Sequence, residues 1–499
     1  MSTSKRRMSN APIILWFRND LRLGDHRALT AAVNTGAQII LLYVLDDETP
    51  APTPAPTPAE WKMGGASRWW LHHSLAALAN DIAKKGNKLI LRRGPAREIV
   101  PKVAAECGAG AVYFSRHYEP SSVALEADLK ALLEERGITC KRFSGALLRE
   151  PEDIRTKAGD VFKVYTPFWR ALSSEFTVGK PVAAPAAIAP PAQLPKSDSL
   201  ASLELLPRKL DWPEGLAAEW SPGEAGANAR LDAFLEGAMK DYADARNRPD
   251  LPGTSRLSPH LHFGEITPAL CWYRSGQAAA RTPGSDKGHE TFLKEIVWRE
   301  FAHTLLFYWP NLPEVPFRPE YLAFPWLENA SHLKAWQRGQ TGYPIVDAGM
   351  RELWRTGYMH NRVRMITASF LIKDLLVPWQ RGEAWFWDTL VDADLANNAA
   401  GWQWVAGCGA DAAPYFRIFN PVTQGEKFDP NGDYVRTWVP EISKLPTEHI
   451  HAPWDAPEDV RAASGVVLGK SYPRPIVDHA AARARALAAF GLVKSSAQK

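Results

Sequence analysis

Runs of consecutive hydrophobic residues, each followed by charged or turn-forming residues, recur through the first third of the chain. They fall within residues 12–23, 37–47, 87–94 and 110–120. Amphipathic stretches lie between them, such as residues 67–86, which end in Lys-Lys-Gly as helix C-termini prefer. Continuous apolar strands that alternate with helices predict a doubly wound, Rossmann-like parallel sheet over residues 11–145. Ligands of such sheets lie at the carboxyl ends of the strands.

The hydrophobic pattern changes beyond this region. Residues 179–222 are rich in proline and alanine, which is typical of an extended connection, and we expect an interdomain linker at 146–222. Helical periodicity then dominates, which predicts an all-helical domain at 223–492. The expected fold class is therefore α/β followed by α. A proline and alanine tract at 49–60 is interpreted as a stiff surface spacer within the first domain.

Composition narrows the class of protein further. The chain has 499 residues, of which 45% are hydrophobic and 23% charged, as in globular proteins. Its 20 tryptophans exceed what packing needs and indicate stacking on a flat ligand or on bases. A net charge of +4 permits a polyanionic partner without requiring one. The four cysteines lack metal-binding or redox spacing, the basic residues 1–10 lack the apolar segment expected of a secretory signal, and no apolar run has the length of a membrane-spanning helix. We therefore expect a metal-free cytoplasmic protein without membrane contact.

A hydroxyl-rich stretch in the helical half contains Thr254, Ser255 and Ser258. It surrounds Arg256 and is followed by Pro259, a residue suited to the first turn of a helix. Hydroxyls and free backbone N–H groups at a helix N-terminus can bind a phosphate. An ordinary helix cap is the alternative interpretation.

A second stretch has helical spacing that would place four residues on one face: Glu295, Trp298, Arg299 and Ala302. An acid, an aromatic ring and a guanidinium side by side are not typical of a buried stripe. They predict a pocket wall in which the tryptophan is a stacking plate. A surface salt bridge with an incidental tryptophan is the alternative.

A third stretch also has helical spacing, with one shared face formed by Asn361, Arg364, Met365 and Ala368. Arg362 points about 100° away from Asn361 on such a helix, which leaves it able to meet a phosphate. A basic patch beside aromatic residues is typical of nucleic-acid binding. A solvated basic face is the alternative.

The fourth stretch contains Asp394, Asn398 and Trp402 at i, i+4 and i+8. On a helix that begins near Asp392 or Asp394 these three residues form one stripe. A carboxylate, an amide and an indole in line could all contact one planar molecule. Asp392 could instead be the helix N-cap.

Together these motifs resemble the DNA photolyase/cryptochrome family. In chain order the matching segments are WFRNDLRL, TSRLSP, WREF, TGYPIVDAGMREL, MHNRVRM, DADLANNAAGWQW and APYFRIFNP. The resemblance implies an α/β antenna domain and a helical domain that holds FAD. It also implies light-driven repair of cyclobutane pyrimidine dimers, in which an electron passes from excited, reduced flavin to a dimer flipped out of the DNA.

The resemblance also implies roles for individual residues. Around the FAD phosphates it places Tyr242, Thr254, Ser255, Arg256, Leu257 and Ser258. Around the flavin and its ribityl chain it places Arg299, Asn361, Arg364, Asp392 and Asp394, with Asn398 facing flavin N5. In the dimer pocket it places Glu295, Trp298, Asn361, Met365 and Trp404, and against DNA it places Arg246, Arg362 and Gln424. The flavin would be photoreduced through a chain of three tryptophans: Trp402, Trp379 and Trp326.

Two expectations about charge follow from these assignments. Arg364 should pair with Asp394 beside the flavin and help to set its charge state. Glu295 should donate a hydrogen bond to the dimer as it accepts the electron, provided that its pKa is raised.

The sequence also separates members of this family. Photolyases of (6-4) photoproducts place histidines where this chain has Asn361 and Met365, and many cryptochromes have Asp or Cys where it has Asn398. We therefore expect a cyclobutane dimer photolyase of class I or class III that acts as a monomer on single- or double-stranded UV-damaged DNA. The alternatives are a cryptochrome-type blue-light photoreceptor that signals through a protein partner, or a (6-4) photolyase.

The antenna chromophore is less well defined by the sequence. The resemblance implies methenyltetrahydrofolate or a deazaflavin. However, the usual folate contact, Asn-Glu shortly after a Tyr-Glu pair, is replaced here by Ser121 and Ser122. Residues 64–75 are most similar to class III photolyases.

Overall fold

The computed structural model describes residues 11–48, 61–207, 212–412 and 417–496. Its N-terminal part is a parallel five-stranded sheet in the order β3-β2-β1-β4-β5. The strands are β1 (Ile13–Phe17), β2 (Ile39–Leu45), β3 (Leu89–Arg93), β4 (Ala111–Ser115) and β5 (Thr139–Phe143). The predicted doubly wound parallel sheet is thus confirmed. The tract at 49–60 lies outside the described residues.

Helices cover both faces of this sheet, which explains why its central strands are hydrophobic throughout. They are α1 (Arg27–Val33), α2 (Gly65–Ala83), α3 (Ala96–Glu106) and α4 (Pro120–Glu135). Along β1, Ile13 and Leu15 pack in a core with α1 and α2, whereas Ile14 and Trp16 pack in a core with α3 and α4. Alternate side chains of one strand therefore belong to two separate cores.

The carboxyl ends of β1 and β4 are closed by the rest of the chain. The amide nitrogen of Leu21 donates to the Phe263 carbonyl at 3.1 Å, and Arg22 donates to the Gly264 carbonyl at 2.7 Å. Gly264 has a φ of +64°, and a Cβ there would lie 2.0 Å from the Asn19 carbonyl oxygen. Only glycine fits this approach, so the two parts of the molecule are in direct backbone contact.

Residues 146–222 are not extended throughout. They contain α5 (Tyr165–Glu175) and α6 (Pro213–Glu219). Phe168 and Leu172 of α5 are buried in the core of the helical part. The limits 11–145, 146–222 and 223–492 stay predictions.

The remainder is helical, as the periodicity predicts. The first helices are α7 (Glu224–Glu236), α8 (Tyr242–Ala245), α9 (Ser258–His262), α10 (Pro268–Ala279), α11 (Asp286–Tyr308), α12 (Ala330–Gln337) and α13 (Pro344–Thr356). They are followed by α14 (Asn361–Ser369), a π-helical turn (Phe370–Asp374), α15 (Trp379–Thr389), α16 (Leu395–Ala406), α17 (Pro421–Phe428), α18 (Asp433–Trp438), α19 (Glu458–Ala463) and α20 (His479–Ser496). Within the described ranges, no helix is both long and apolar enough to cross a bilayer.

A buried carboxylate, Glu265, joins the two parts of the molecule. It accepts hydrogen bonds from the Trp70 indole at 3.0 Å and from the Gly223 amide at 2.7 Å, and it also contacts His260. Trp69 and Trp70 are both buried, so they are core residues of α2. This network places α9 against α2 and thereby sets one wall of the site described next.

Candidate functional site

A cavity of about 590 Å³ lies in the helical part, between α8, α9, α11, α14 and α16. Most of the predicted site residues line it: Tyr242, Arg246, Thr254, Ser255, Arg256, Leu257, Ser258, Glu295, Trp298, Arg299, Asn361, Arg362, Arg364, Met365, Asp392, Asp394, Asn398, Trp402 and Trp404. Three predicted residues lie away from its wall: Trp326, Trp379 and Gln424. Four stretches that are separate in sequence are thus brought to one space.

The predicted helical faces explain this convergence. The second stretch lies on α11, and all four of its residues line the cavity. The third stretch begins α14, and its predicted face does the same. Arg362 also lines the cavity, and its Nη2 donates to Asn247 Oδ1 at 2.6 Å. The Arg362 guanidinium also lies 4.4 Å from the Phe428 ring centroid.

The ion pair beside this helix differs from the predicted one. Arg364 Nη2 lies 2.8 Å from Asp392 Oδ2, and Arg364 Nε donates to the Met359 carbonyl at 2.7 Å. The expected pairing of Arg364 with Asp394 is therefore wrong. Asp394 is the N-cap of α16 and accepts from the Asn397 amide at 2.9 Å, so its carboxylate is held at the helix end. Asp392 precedes the helix and is free to turn towards α14.

Burial affects the pKa values of both Arg364 and Asp394. Burial alone would lower the pKa of Arg364, but Asp392 reverses this, and the pKa is raised overall. Burial alone would raise the pKa of Asp394, but His303 and His262 hold that pKa well below its usual value. The two histidine nitrogens lie 3.3 and 3.4 Å from Asp394 Oδ2. Sequence reasoning assigned no role to either histidine, because their approach to Asp394 depends on tertiary packing.

The predicted stripe of Asp394, Asn398 and Trp402 is confirmed, since all three line the cavity on α16. Asn398 Nδ2 donates to the Glu383 carbonyl at 3.1 Å. This bond uses one of the two N–H donors of the amide and leaves the second N–H as a donor and Oδ1 as an acceptor. Trp402 packs edge-on against Phe386, with ring centroids 5.0 Å apart.

The other two tryptophans of the predicted chain belong to the same hydrophobic core as Trp402. Trp379 and Trp402 are buried in that core, and Trp326 is a half-buried residue packed against it. The three indoles are thus members of one packed cluster.

Elsewhere in the cavity lining, Glu295 and Arg246 form a close ion pair. Arg246 Nη2 lies 2.6 Å from Glu295 Oε2. Burial raises the pKa of Glu295, although Arg246 and Arg362 act to lower it. Trp298, Met365 and Trp404 are half-buried beside this pair and supply apolar surface. Gln424 lies on α17, the helix that ends at Phe428.

The hydroxyl-rich stretch is not used for capping. The N-cap of α9 is Leu257, without a side-chain cap, and Pro259 lies in the first turn as predicted. Arg256 has a φ of +52°, a strained conformation that is typical of functional sites. Its guanidinium pairs with Glu219 at 2.6 Å and lies 4.5 Å from the Tyr358 ring centroid. Sequence reasoning missed these two partners of Arg256.

Known proteins resemble this chain over most of its length. The family models "DNA photolyase" and "FAD binding domain of DNA photolyase" match residues 13–189 and 292–491. The deoxyribodipyrimidine photo-lyase of Agrobacterium fabrum is 50% identical over 98% of this chain and 99% of its own length. Cryptochrome-1 of Arabidopsis thaliana is 39% identical over 95% of this chain and 69% of its own length. The crystal structure of a bacterial class III photolyase from Agrobacterium tumefaciens has a TM-score of 0.93 at 50% identity and covers 99% of this chain and 100% of that one.

The partly buried pair of Arg364 and Asp392 gives a prediction about stability. Asp392→Ala leaves the Arg364 guanidinium without its counter-ion, although part of that side chain is exposed to solvent, and we expect a loss of about 1.5–3 kcal/mol in the free energy of unfolding, measured by urea denaturation. Glu328→Ala is the matched control, because Glu328 pairs with Arg381 at 3.3 Å on the exposed surface. This control should cost less than about 1 kcal/mol. Equal losses in the two variants would contradict the prediction.

Proposed function

The chain belongs to the DNA photolyase family, and we propose that it repairs cyclobutane pyrimidine dimers in DNA under blue or near-ultraviolet light. One observation carries the proposal. A single cavity is lined by two groups of residues. Arg364, whose charge is balanced by Asp392, and Asn398 form the group that we call the interior, and Glu295 and Trp298 belong to the group that we call the outer wall. The interior suits a flavin, and the outer wall suits a damaged base pair.

The match to the FAD-binding domain model is consistent with the residues of the interior. Arg364 stays charged because Asp392 compensates its burial, so it can favour negative charge on a neighbouring group. Asn398 presents an acceptor oxygen, and Ser255 and Ser258 line the same cavity, where their hydroxyls would meet a phosphate. FAD bound there supplies light absorption and electron donation.

The outer wall supports recognition of a flipped dimer. Trp298 and Trp404 offer apolar ring surface, and Met365 adds a flexible contact. A damaged and poorly stacked base pair costs less to extrude than an intact one. Arg246 and Arg362 would hold the flanking phosphates without reading the base sequence.

The electron path and the reaction partners follow from the same assignment. Trp402, Trp379 and Trp326 would deliver electrons from the surface to the flavin when it is oxidised. Gln424 would add a DNA contact beside Phe428. Action as a monomer in the cytoplasm stays a prediction.

Membership of the photolyase family extends the proposal to an antenna chromophore, methenyltetrahydrofolate or a deazaflavin. The crevice at the carboxyl ends of β1 and β4 is too small for either, since only about 10 Å³ remains between Asn19, Arg22 and Gly264. The chromophore would therefore lie outside this crevice. The absorption spectrum of the purified protein distinguishes the two candidates.

The direct test of the proposed function is illumination of the reduced protein with DNA that contains thymine dimers. Absorbance in the pyrimidine band should recover with light and stay unchanged in the dark. If the absorbance does not recover in the light, the proposed function is refuted.

Glu295 gives a prediction with a pH dependence. If its protonated carboxyl donates to the dimer, Glu295→Ala should lower repair per absorbed photon by about tenfold, equivalent to about 1.4 kcal/mol for a lost hydrogen bond. Because burial raises the pKa of Glu295, the donor is present at low pH and is lost as pH rises through that raised value. Glu295→Gln keeps a donor at every pH and should flatten the profile.

Glu290→Ala is the matched control for this experiment, since Glu290 is an exposed acid on the same helix that pairs with Lys294. It should leave both repair and FAD content unchanged. Loss of FAD from Glu295→Ala, or a pH profile that Glu295→Gln does not alter, would contradict the assigned role.

Trp402 gives a prediction that separates activation from repair. Trp402→Phe should block photoreduction of oxidised flavin, because the phenyl ring is much harder to oxidise than the indole. Repair should be retained once the flavin is reduced chemically. Trp309→Phe, a half-buried tryptophan at the end of α11, is the control and should photoreduce normally. Loss of chemically primed repair in Trp402→Phe would show a substrate or structural role instead.

A further inference from the structure

The segment predicted as a linker contributes a side chain to the support of the cavity wall. Tyr165, the first residue of α5, stacks on Trp298 with ring centroids 3.6 Å apart and an interplanar angle of 5°. Trp298 lines the cavity, whereas Tyr165 lies behind it. We propose that Tyr165 is a positioning residue for lesion recognition, which holds the Trp298 indole as a fixed plate for the flipped dimer. This inference rests on the proposed function.

A hydrogen bond fixes Tyr165 to the helix that carries Trp298. The Tyr165 hydroxyl donates to the Lys294 carbonyl at 2.6 Å, and Lys294 lies one turn before Trp298 on α11. Burial, followed by the nearby charge of Glu295, raises the pKa of Tyr165, so the hydroxyl stays protonated and remains a donor. The phenol ring and its hydroxyl thus both hold the same turn of α11.

Neighbouring rings restrict this stacked pair further. Phe301 packs edge-on against both rings, with centroids 6.0 Å from Tyr165 and 5.9 Å from Trp298. Phe168, one turn further along α5, packs against Phe301 at 5.2 Å. Because Tyr165 covers one face of the indole, only its other face and its edges remain for a ligand. The plate therefore has one usable side.

A fixed orientation of the Trp298 indole affects how well the pocket recognises a flipped dimer. An extruded dimer exchanges base stacking in the duplex for contacts in the pocket, so a preorganised aromatic surface reduces the ordering that must accompany binding. Undamaged DNA, which stays stacked, makes no use of that surface. Support of Trp298 should therefore affect discrimination between damaged and undamaged DNA more than it affects overall affinity.

The test uses the FAD-bound protein and two oligonucleotides of identical sequence, one with a thymine dimer. Dissociation constants are measured in the dark by fluorescence anisotropy. Tyr165→Leu removes the stacking plane, and we expect the ratio of damaged to undamaged affinity to fall about three- to tenfold. Affinity for undamaged DNA and FAD content should stay within twofold of the unsubstituted protein. Tyr165→Phe keeps the ring and should restore most of the discrimination.

Leu172→Ala is the matched control, because Leu172 is a buried side chain on the same helix, two turns beyond Tyr165, and contributes no ring to the stacked group. It should lower stability without changing discrimination. An equal fall in discrimination for Leu172→Ala and Tyr165→Leu would show a general packing effect and overturn the proposal, as would an unchanged ratio in Tyr165→Leu.

Should Tyr165→Leu fail to fold, Tyr165→His provides a smaller planar ring and should lose about two- to fourfold in discrimination. Discrimination equal to that of the unsubstituted protein in Tyr165→His would also contradict the proposal. The proposed function fails in a different way, namely if the unsubstituted protein itself shows no preference for the dimer.

Discussion

Burial of charge is the constraint on which the central cavity depends. A charged side chain removed from water needs a counter-charge or several hydrogen bonds, or it destabilises the fold by several kcal/mol. Most of the charged groups of this cavity meet that need through partners on other segments: Arg364 with Asp392, Asp394 with His262 and His303, Arg246 with Glu295, and Arg256 with Glu219. Each pair joins segments that are distant in sequence, so charge compensation also sets the relative positions of the cavity helices.

The start of α16 shows how far local sequence reasoning extends. Helical spacing was sufficient to place Asp394, Asn398 and Trp402 on one stripe, because that spacing depends only on backbone geometry. The spacing could not decide whether Asp392 or Asp394 pairs with Arg364, because only one residue separates the two aspartates. Tertiary packing decides between them. His262, which is 132 residues from Asp394 in sequence, contacts the Asp394 carboxylate, and Arg364 pairs with Asp392.

The fold has the same limit. Strands β1 and β2 are buried on both faces, so their uninterrupted hydrophobic residues could be recognised. Strand β5, with the sequence TCKRF, is a partly exposed edge strand and lacks such a run. Likewise, proline and alanine content predicted a linker but could not reveal that Phe168 of α5 is buried in the helical core. A local sequence pattern indicates which side chains of a segment are buried within its own element. It cannot identify an edge strand such as β5 or a helix such as α5 that packs on a distant part of the chain, because these depend on the tertiary partner.

The Arg246–Glu295 pair connects the two halves of the proposed reaction. A guanidinium 2.6 Å from a carboxylate stabilises the ionised acid and so acts against the burial that raises the pKa of Glu295. The same arginine is the proposed partner of a DNA phosphate. A phosphate that draws Arg246 away weakens its hold on Glu295, and a dimer that enters the pocket displaces water from the same carboxyl. Both effects favour the protonated acid, so the hydrogen-bond donor would be present when the lesion is bound, and less so when the site is empty.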